Sequence, residues 1–241
     1  MKKSVVAICL LVSTQCYAVN QEKVSFLAGL PKPPFIMTQN GKGLQLDIIR
    51  KALSTQNISA TFFHAPLSRS VLNFQQTNID AISIVLPDYT HPNMFVSKPY
   101  ITYKNVAVSL IERELKIESL SDLEGLSVTA FQRAKKHLGE EYNFKVSRAS
   151  GYREVANQRE QIDMLFTGQA EVIILDINIF MYFCRRHKEA MYQNPFKIHK
   201  IFGEQSYSAG FKSKAQRDKF DLGIAKIKEN GLYDKIVATY L

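Results

Sequence analysis

Apolar and polar residues follow two rhythms along this chain. Short, nearly continuous apolar runs alternate with stretches whose apolar positions recur at helical spacing, the pattern of strands interleaved with amphipathic helices. Residues 24–28 predict a first strand. It runs into Pro31, Lys32, Pro33, Pro34 and Phe35, a rigid loop in which the prolines forbid helix. Asn40, Gly41, Lys42 and Gly43 supply turn chemistry, and Leu46, Ile49 and Leu53 then mark a helix over roughly 44–54. A strand is expected at 60–63 and a short helix at 68–75, with Ser68 as its N-cap. Residues 80–86 form an apolar run broken only by Ser83 and read as a buried parallel strand.

The alternation continues downstream. Residues 106–111 read as another buried strand, 120–123 as a helical turn, 127–131 as a strand after Gly125, and 134–141 as a helix. A helix at 158–166, ended by Gly168, precedes a buried strand at 171–175. Phe220, Ile224 and Ile227 mark a long helix reaching about residue 230; Gly231 closes it, and a last helix follows over 232–240. No fixed-period repeat, low-complexity tract or flexible linker interrupts the sequence. The order implies compact α/β units.

The first residues break this pattern. Met1, Lys2 and Lys3 form a positive start, residues 5–12 a short apolar core, and Ala18 a small-residue cleavage position, which together read as a secretory signal cut after Ala18. Removal of the signal takes Cys9 and Cys16 and leaves Cys184 as the one cysteine of the mature chain. An intramolecular disulfide and a thiolate metal site are thereby excluded. The net charge of +9 falls to +7 when Lys2 and Lys3 leave. The basic residues are dispersed, apart from Lys135–Lys136 and Arg185–Arg186, so they read as a solvated surface, and export argues against a nucleic-acid partner. No later run approaches the ~18 apolar residues of a membrane span. The five histidines lack metal-ligand spacing, and neither a nucleophile elbow nor a P-loop is present, so no cofactor and no catalytic residue are expected.

Six local patterns in order resemble the bacterial extracellular solute-binding proteins of polar-amino-acid ABC importers. They are Pro34–Phe35 with Gly41 to Asp47; Pro66 through Asp80-Ala81-Ile82; Val96-Ser97-Lys98-Pro99-Tyr100; Ser119-Leu120-Ser121-Asp122-Leu123-Glu124-Gly125; Leu165-Phe166-Thr167-Gly168 through Asp176; and Asn230-Gly231-Leu232-Tyr233-Asp234-Lys235-Ile236. The resemblance implies an α/β fold of two lobes, each a mostly parallel sheet flanked by helices, joined by two hinge strands. Lobe 1 would take 19–110 plus 205–241, and lobe 2 would take 111–204. It further implies a monomer that captures a small polar ligand, amino-acid-like or another anionic metabolite, between its lobes and delivers it to a membrane ABC permease. A ligand sensor for a membrane signalling partner and a dehydratase-like enzyme are the alternatives on the same fold.

The resemblance also nominates ligand-binding residues, and the departures from its pattern shape the choice. The position of the usual carboxylate-gripping arginine falls at Pro92, neighbouring hydroxyl positions fall at Val85 and Pro87, and the helix-opening pair of the second lobe falls at Arg133–Ala134. Asp176 is retained at a strand end, either to meet a ligand ammonium or to cap the next helix. Arg69, in Pro66-Leu67-Ser68-Arg69, and Arg133 are the candidate replacement cations, with Lys32 in the first loop; each has solvent exposure as its alternative. Phe35, Tyr100, Phe131 and Tyr207 lie on cleft-forming segments, to stack on ligand or to pack.

Overall fold

A computed structural model of the chain describes residues 21–37, 41–66, 74–186 and 190–241. The signal segment, Arg69 and most of the helix expected at 68–75 lie outside the described residues; of that helix, only a 3-10 turn at Phe74–Gln76 is described.

The ten described strands are β1 (Glu22–Leu27), β2 (Ile58–Phe63), β3 (Ala81–Val85), β4 (Phe95–Val96), β5 (Ile101–Leu110), β6 (Ser127–Phe131), β7 (Gly151–Val155), β8 (Val172–Asp176), β9 (Phe196–His199) and β10 (Glu204–Phe211). The helices are α1 (Leu44–Ser54), α2 (Ala134–His137), α3 (Gly139–Val146), α4 (Gln158–Phe166), α5 (Ile177–Arg186), α6 (Lys214–Glu229) and α7 (Leu232–Tyr240). Strand order is β2-β1-β3-β10-β5-β8-β6-β7, with β4 on β10 and β9 on β5.

Two strands carry the chain between halves. The first residues of β5, Ile101 to Lys104, pair antiparallel with Tyr207 to Glu204 of β10. Its later residues leave β10 and pair antiparallel with β8 and β9. Beyond this crossing, β10 continues along β3. One half therefore holds β1 to β4 with α1, and the other holds β6 to β9 with α2 to α5. Helices α6 and α7 return to α1 and the first half, which is why no linker is legible in the sequence.

Each half buries a strand layer against helices. Phe26, Phe211, Phe220 and Tyr100 form an aromatic chain in the first half: Phe211 meets Phe26 and Phe220 at 5.6 and 5.3 Å between ring centroids, and Tyr100 meets Phe220 at 5.4 Å. Helix α6 lies so close to α1 that a Cβ on Gly223 would overlap the Ala52 carbonyl oxygen. The second half packs Tyr142, Val146 and Leu123 over Val128, Val172 and Ile174.

The helices at 44–54 and 158–166 and the strand at 127–131 form as the periodicity predicts. Three expectations need correction. The strand expected at 106–111 begins at Ile101, because its first residues pair with β10 rather than with the second half. The helix expected at 134–141 is two helices, broken at Gly139, where φ is +92°. The run at 80–86 is parallel to β1 on one side and antiparallel to β10 on the other.

Candidate functional site

A cavity of ≈ 470 Å³ opens over the crossing of β5 and β10, within the size range of small-molecule sites. Tyr103 and Asn105 of β5 and Tyr207 of β10 form part of its wall. The first half adds the loop after β1, with Lys32, and the end of β3. The second half adds Phe131 at the end of β6, Arg133 just after it, His137 of α2, Gln158 at the start of α4, and Asp176 at the end of β8. These positions follow the carboxyl ends of parallel strands, where α/β sheets place their ligands.

The floor is held from below by a buried polar network. The Tyr103 hydroxyl donates to Gln45 Oε1 at 3.0 Å, while Gln45 Nε2 donates to the Ser83 carbonyl at 3.2 Å and the Tyr100 hydroxyl at 3.0 Å. Gln45 is fully buried on α1, so helix and floor are locked together. Phe35 packs edge-on against Tyr103, with 4.2 Å between ring centroids. Tyr103 is thereby fixed in place, with one face left for the cavity.

Lys32 and Asp176 are the charged groups that meet on this floor. The Lys32 ammonium stands over the Tyr103 ring, 4.6 Å from its centroid. Burial pushes its pKa down to about 8, against the pull of the Asp176 charge. Asp176 accepts three backbone N–H groups, from Lys104 at 2.7 Å, Asn178 at 2.8 Å and Ile179 at 3.3 Å. Burial raises its pKa; the three N–H bonds and Lys32 oppose that rise. One carboxylate thus both caps α5 and ties it to hinge strand β5.

The opposite wall is cationic. Arg133 and Lys136 line it, with no ion pair to either among the described residues. Arg133 takes a left-handed backbone conformation, φ +65°, at the start of α2. Its backbone N–H and that of Lys135 donate to Glu154 at 2.6 and 3.0 Å, so the opening of this short helix is already filled by a carboxylate of the chain. His137 has its pKa lowered by burial first, then by Arg133, Lys32 and Lys136. His137 Nδ1 and Gln158 Oε1 are shielded from solvent without a hydrogen-bond partner, a state that buried polar atoms rarely keep unless something else satisfies them.

Five of the eight nominated residues line the cavity: Lys32, Phe131, Arg133, Asp176 and Tyr207. Two nominations are corrected. Phe35 is fully buried behind Tyr103, and Tyr100 is 1% exposed beneath Gln45; both are core residues that support the floor without facing the cavity. Arg69 lies outside the described residues. Sequence reasoning missed Tyr103, Asn105, His137 and Gln158. The first two sit two residues apart on a strand whose start it placed too late. The helix positions carried no motif.

Fold and cavity together define the class: an α/β protein with the two-lobed fold of the periplasmic binding proteins. Among proteins of known sequence, the chain is 24% identical to an arginine-binding periplasmic protein of Mannheimia haemolytica over 213 residues, 85% of either chain. No family model matches it. Among solved structures, an ancestral arginine-binding protein bound to arginine superposes with TM-score 0.73 at 17% identity, covering 91% of this chain and 98% of that one. A histidine kinase sensor domain with similarity to periplasmic binding proteins also reaches 0.73, at 16% identity over 92% and 97%. The likeness to solute-binding proteins that the six motifs carry thus extends along the chain.

Proposed function

We propose that the protein is a periplasmic solute-binding protein that captures a small anionic ligand between its lobes and presents the closed form to a membrane partner. The carrying observation is the cavity at the strand crossing, lined by Lys32 from one half and by Arg133, Lys136 and His137 from the other. An anion that meets cations of both halves binds the closed arrangement better than the open one, and that difference drives closure. The arginine named for two of the similar proteins suits this cavity poorly: its guanidinium needs carboxylates, and Asp176 is the one acid among the described lining residues.

Delivery to an import permease is the reading the motif order favours. The similarity to a histidine kinase sensor domain supports a second, in which the closed form reports to a signalling partner. An enzymatic reading has less support, since the one lining carboxyl group already accepts three backbone N–H bonds. The test is isothermal titration of the mature chain with small carboxylates, amino acids and polyamines, with small-angle scattering before and after. Carboxylate binding with a fall in radius of gyration is expected; tight binding of polyamines alone refutes the anion reading.

A further inference from the structure

The cavity supplies its own ammonium. Lys32 projects from the loop after β1 over the Tyr103 ring, on the floor that Asp176 shares. Asp176 has three backbone N–H donors in place, from both the hinge strand and the opening of α5. A carboxylate offers about four lone-pair sites, so little accepting capacity is left for a ligand cation. Among the described residues no second acid lines the cavity; Glu154, beside the start of α2, is spent on the backbone of Arg133 and Lys135 and on the Tyr152 hydroxyl. A ligand ammonium would therefore meet Lys32, Arg133 and Lys136 with one largely satisfied carboxylate to offset them. Lys32 and Arg133 are half-buried and Lys136 is exposed, and like charges brought together in a partly desolvated cavity cost more than at an open surface.

The remaining lining sets the rest of the ligand. Ile84, Val85, Leu86 and Tyr89 form an apolar patch on the first half, and Phe131 faces from the second. From these juxtapositions we infer that the cavity is built for a carboxylate with an apolar or aromatic body and no ammonium group, a 2-oxo acid rather than the matching amino acid. Where an amino acid carries its ammonium, a 2-oxo acid carries a carbonyl acceptor, which suits the Lys32 donor. Arg133 then takes the carboxylate, as a planar fork matches it. This inference rests on the proposed capture of a small anion and narrows its chemistry.

Isothermal titration with matched pairs tests it: phenylpyruvate against phenylalanine, and 4-methyl-2-oxopentanoate against leucine. The 2-oxo acid of each pair is expected to bind at least tenfold tighter than its amino acid. An amino acid that binds as tightly as its partner overturns the inference while leaving anion capture intact. Failure of all four compounds, with binding by other small carboxylates, likewise overturns the apolar-body class and leaves anion capture standing. Failure of every carboxylate takes both down. Lys32→Met provides a second readout. It is expected to weaken the 2-oxo acid at least tenfold and to narrow the discrimination within each pair. Unchanged discrimination in a folded variant shows that Lys32 does not exclude the ammonium.

Discussion

The Lys32 ammonium lies 4.6 Å from the centroid of the Tyr103 ring, and the same ring is bonded through its hydroxyl to Gln45 of α1. A cation over an aromatic face gains electrostatically from the ring. It loses water in doing so, which is why its pKa falls to about 8. A charged residue is thus kept at a cost to the empty protein, in a place where a bound anion would relieve that cost.

Lys32→Met is expected to stabilise the empty protein at pH 7 while weakening anion binding. The shift from 10.5 to about 8 sets an upper bound of roughly 3 kcal/mol on the gain. The sign follows from linkage: the folded state holds this proton less tightly than the unfolded state, so the penalty is full below about 8 and fades as pH rises toward 10.5. Urea denaturation of both proteins at pH 7 and pH 10 checks this, with the difference between them shrinking at the higher pH.

Anion affinity is expected to fall as pH rises through about 8, where Lys32 loses its charge in the empty protein. A bound carboxylate favours the charged form, so binding above that pH takes up a proton, and Kd rises by at most about tenfold per unit. His137 adds a second proton uptake on the alkaline side of its lowered pKa, where the imidazole is neutral before binding and an anion beside it favours the imidazolium. Arg133, Lys136, Asp176, Tyr103 and Tyr207 line the same cavity and face the same anion. Titration in buffers of different ionisation enthalpy measures the proton count directly.

Asp176→Ala is expected to lower stability by about 1–2 kcal/mol, the usual loss of a helix cap, with the tie to Lys104 of β5 lost as well. If the carboxylate serves structure, as its three N–H partners indicate, the variant binds 2-oxo acids with little change once folded. Chemical denaturation and isothermal titration on one preparation separate the two effects.

Gly223→Ala is expected to destabilise the first half by about 1–3 kcal/mol, because the new methyl group meets the Ala52 carbonyl where α6 rests on α1. The site lies away from the cavity, so ligand affinity of the folded variant should hold. A fall in melting temperature with unchanged Kd is the expected pair of results.

The sequence revealed the fold most clearly where one physical rule dominated. The helix over 44–54 has its apolar face set by Leu46, Ile49 and Leu53, and the helix over 158–166 opens at Asn157, whose side chain accepts from the Arg159 N–H at 3.1 Å. Strand β7 escaped notice because Tyr152, Arg153 and Glu154 carry no apolar run; it is a sheet-edge strand held by its pairing with β6. Within the cavity, Lys32, Arg133 and Asp176 were nominated through the resemblance to solute-binding proteins, from the positions they hold in its motifs. Tyr103 was not, since its position depends on how β5 divides its partners between β10 and β8. Phe35 and Tyr100 misled for the same reason: an aromatic residue on a cleft-forming segment does not announce which way its ring turns.

The return of the chain through β10 fixes an order in which the halves can be completed. Strands β6 to β9 and helices α2 to α5 lie in one uninterrupted stretch, so a nascent chain emerging from its N-terminus has that half in hand by His199. The other half must wait. Until Glu204–Phe211 emerges, β3 has an open edge, and α1 lacks the α6 surface that packs on it. An open strand edge is where chains pair wrongly with one another. The half made first is thus the half finished last, and for about half of the chain's synthesis β3 is exposed to its neighbours.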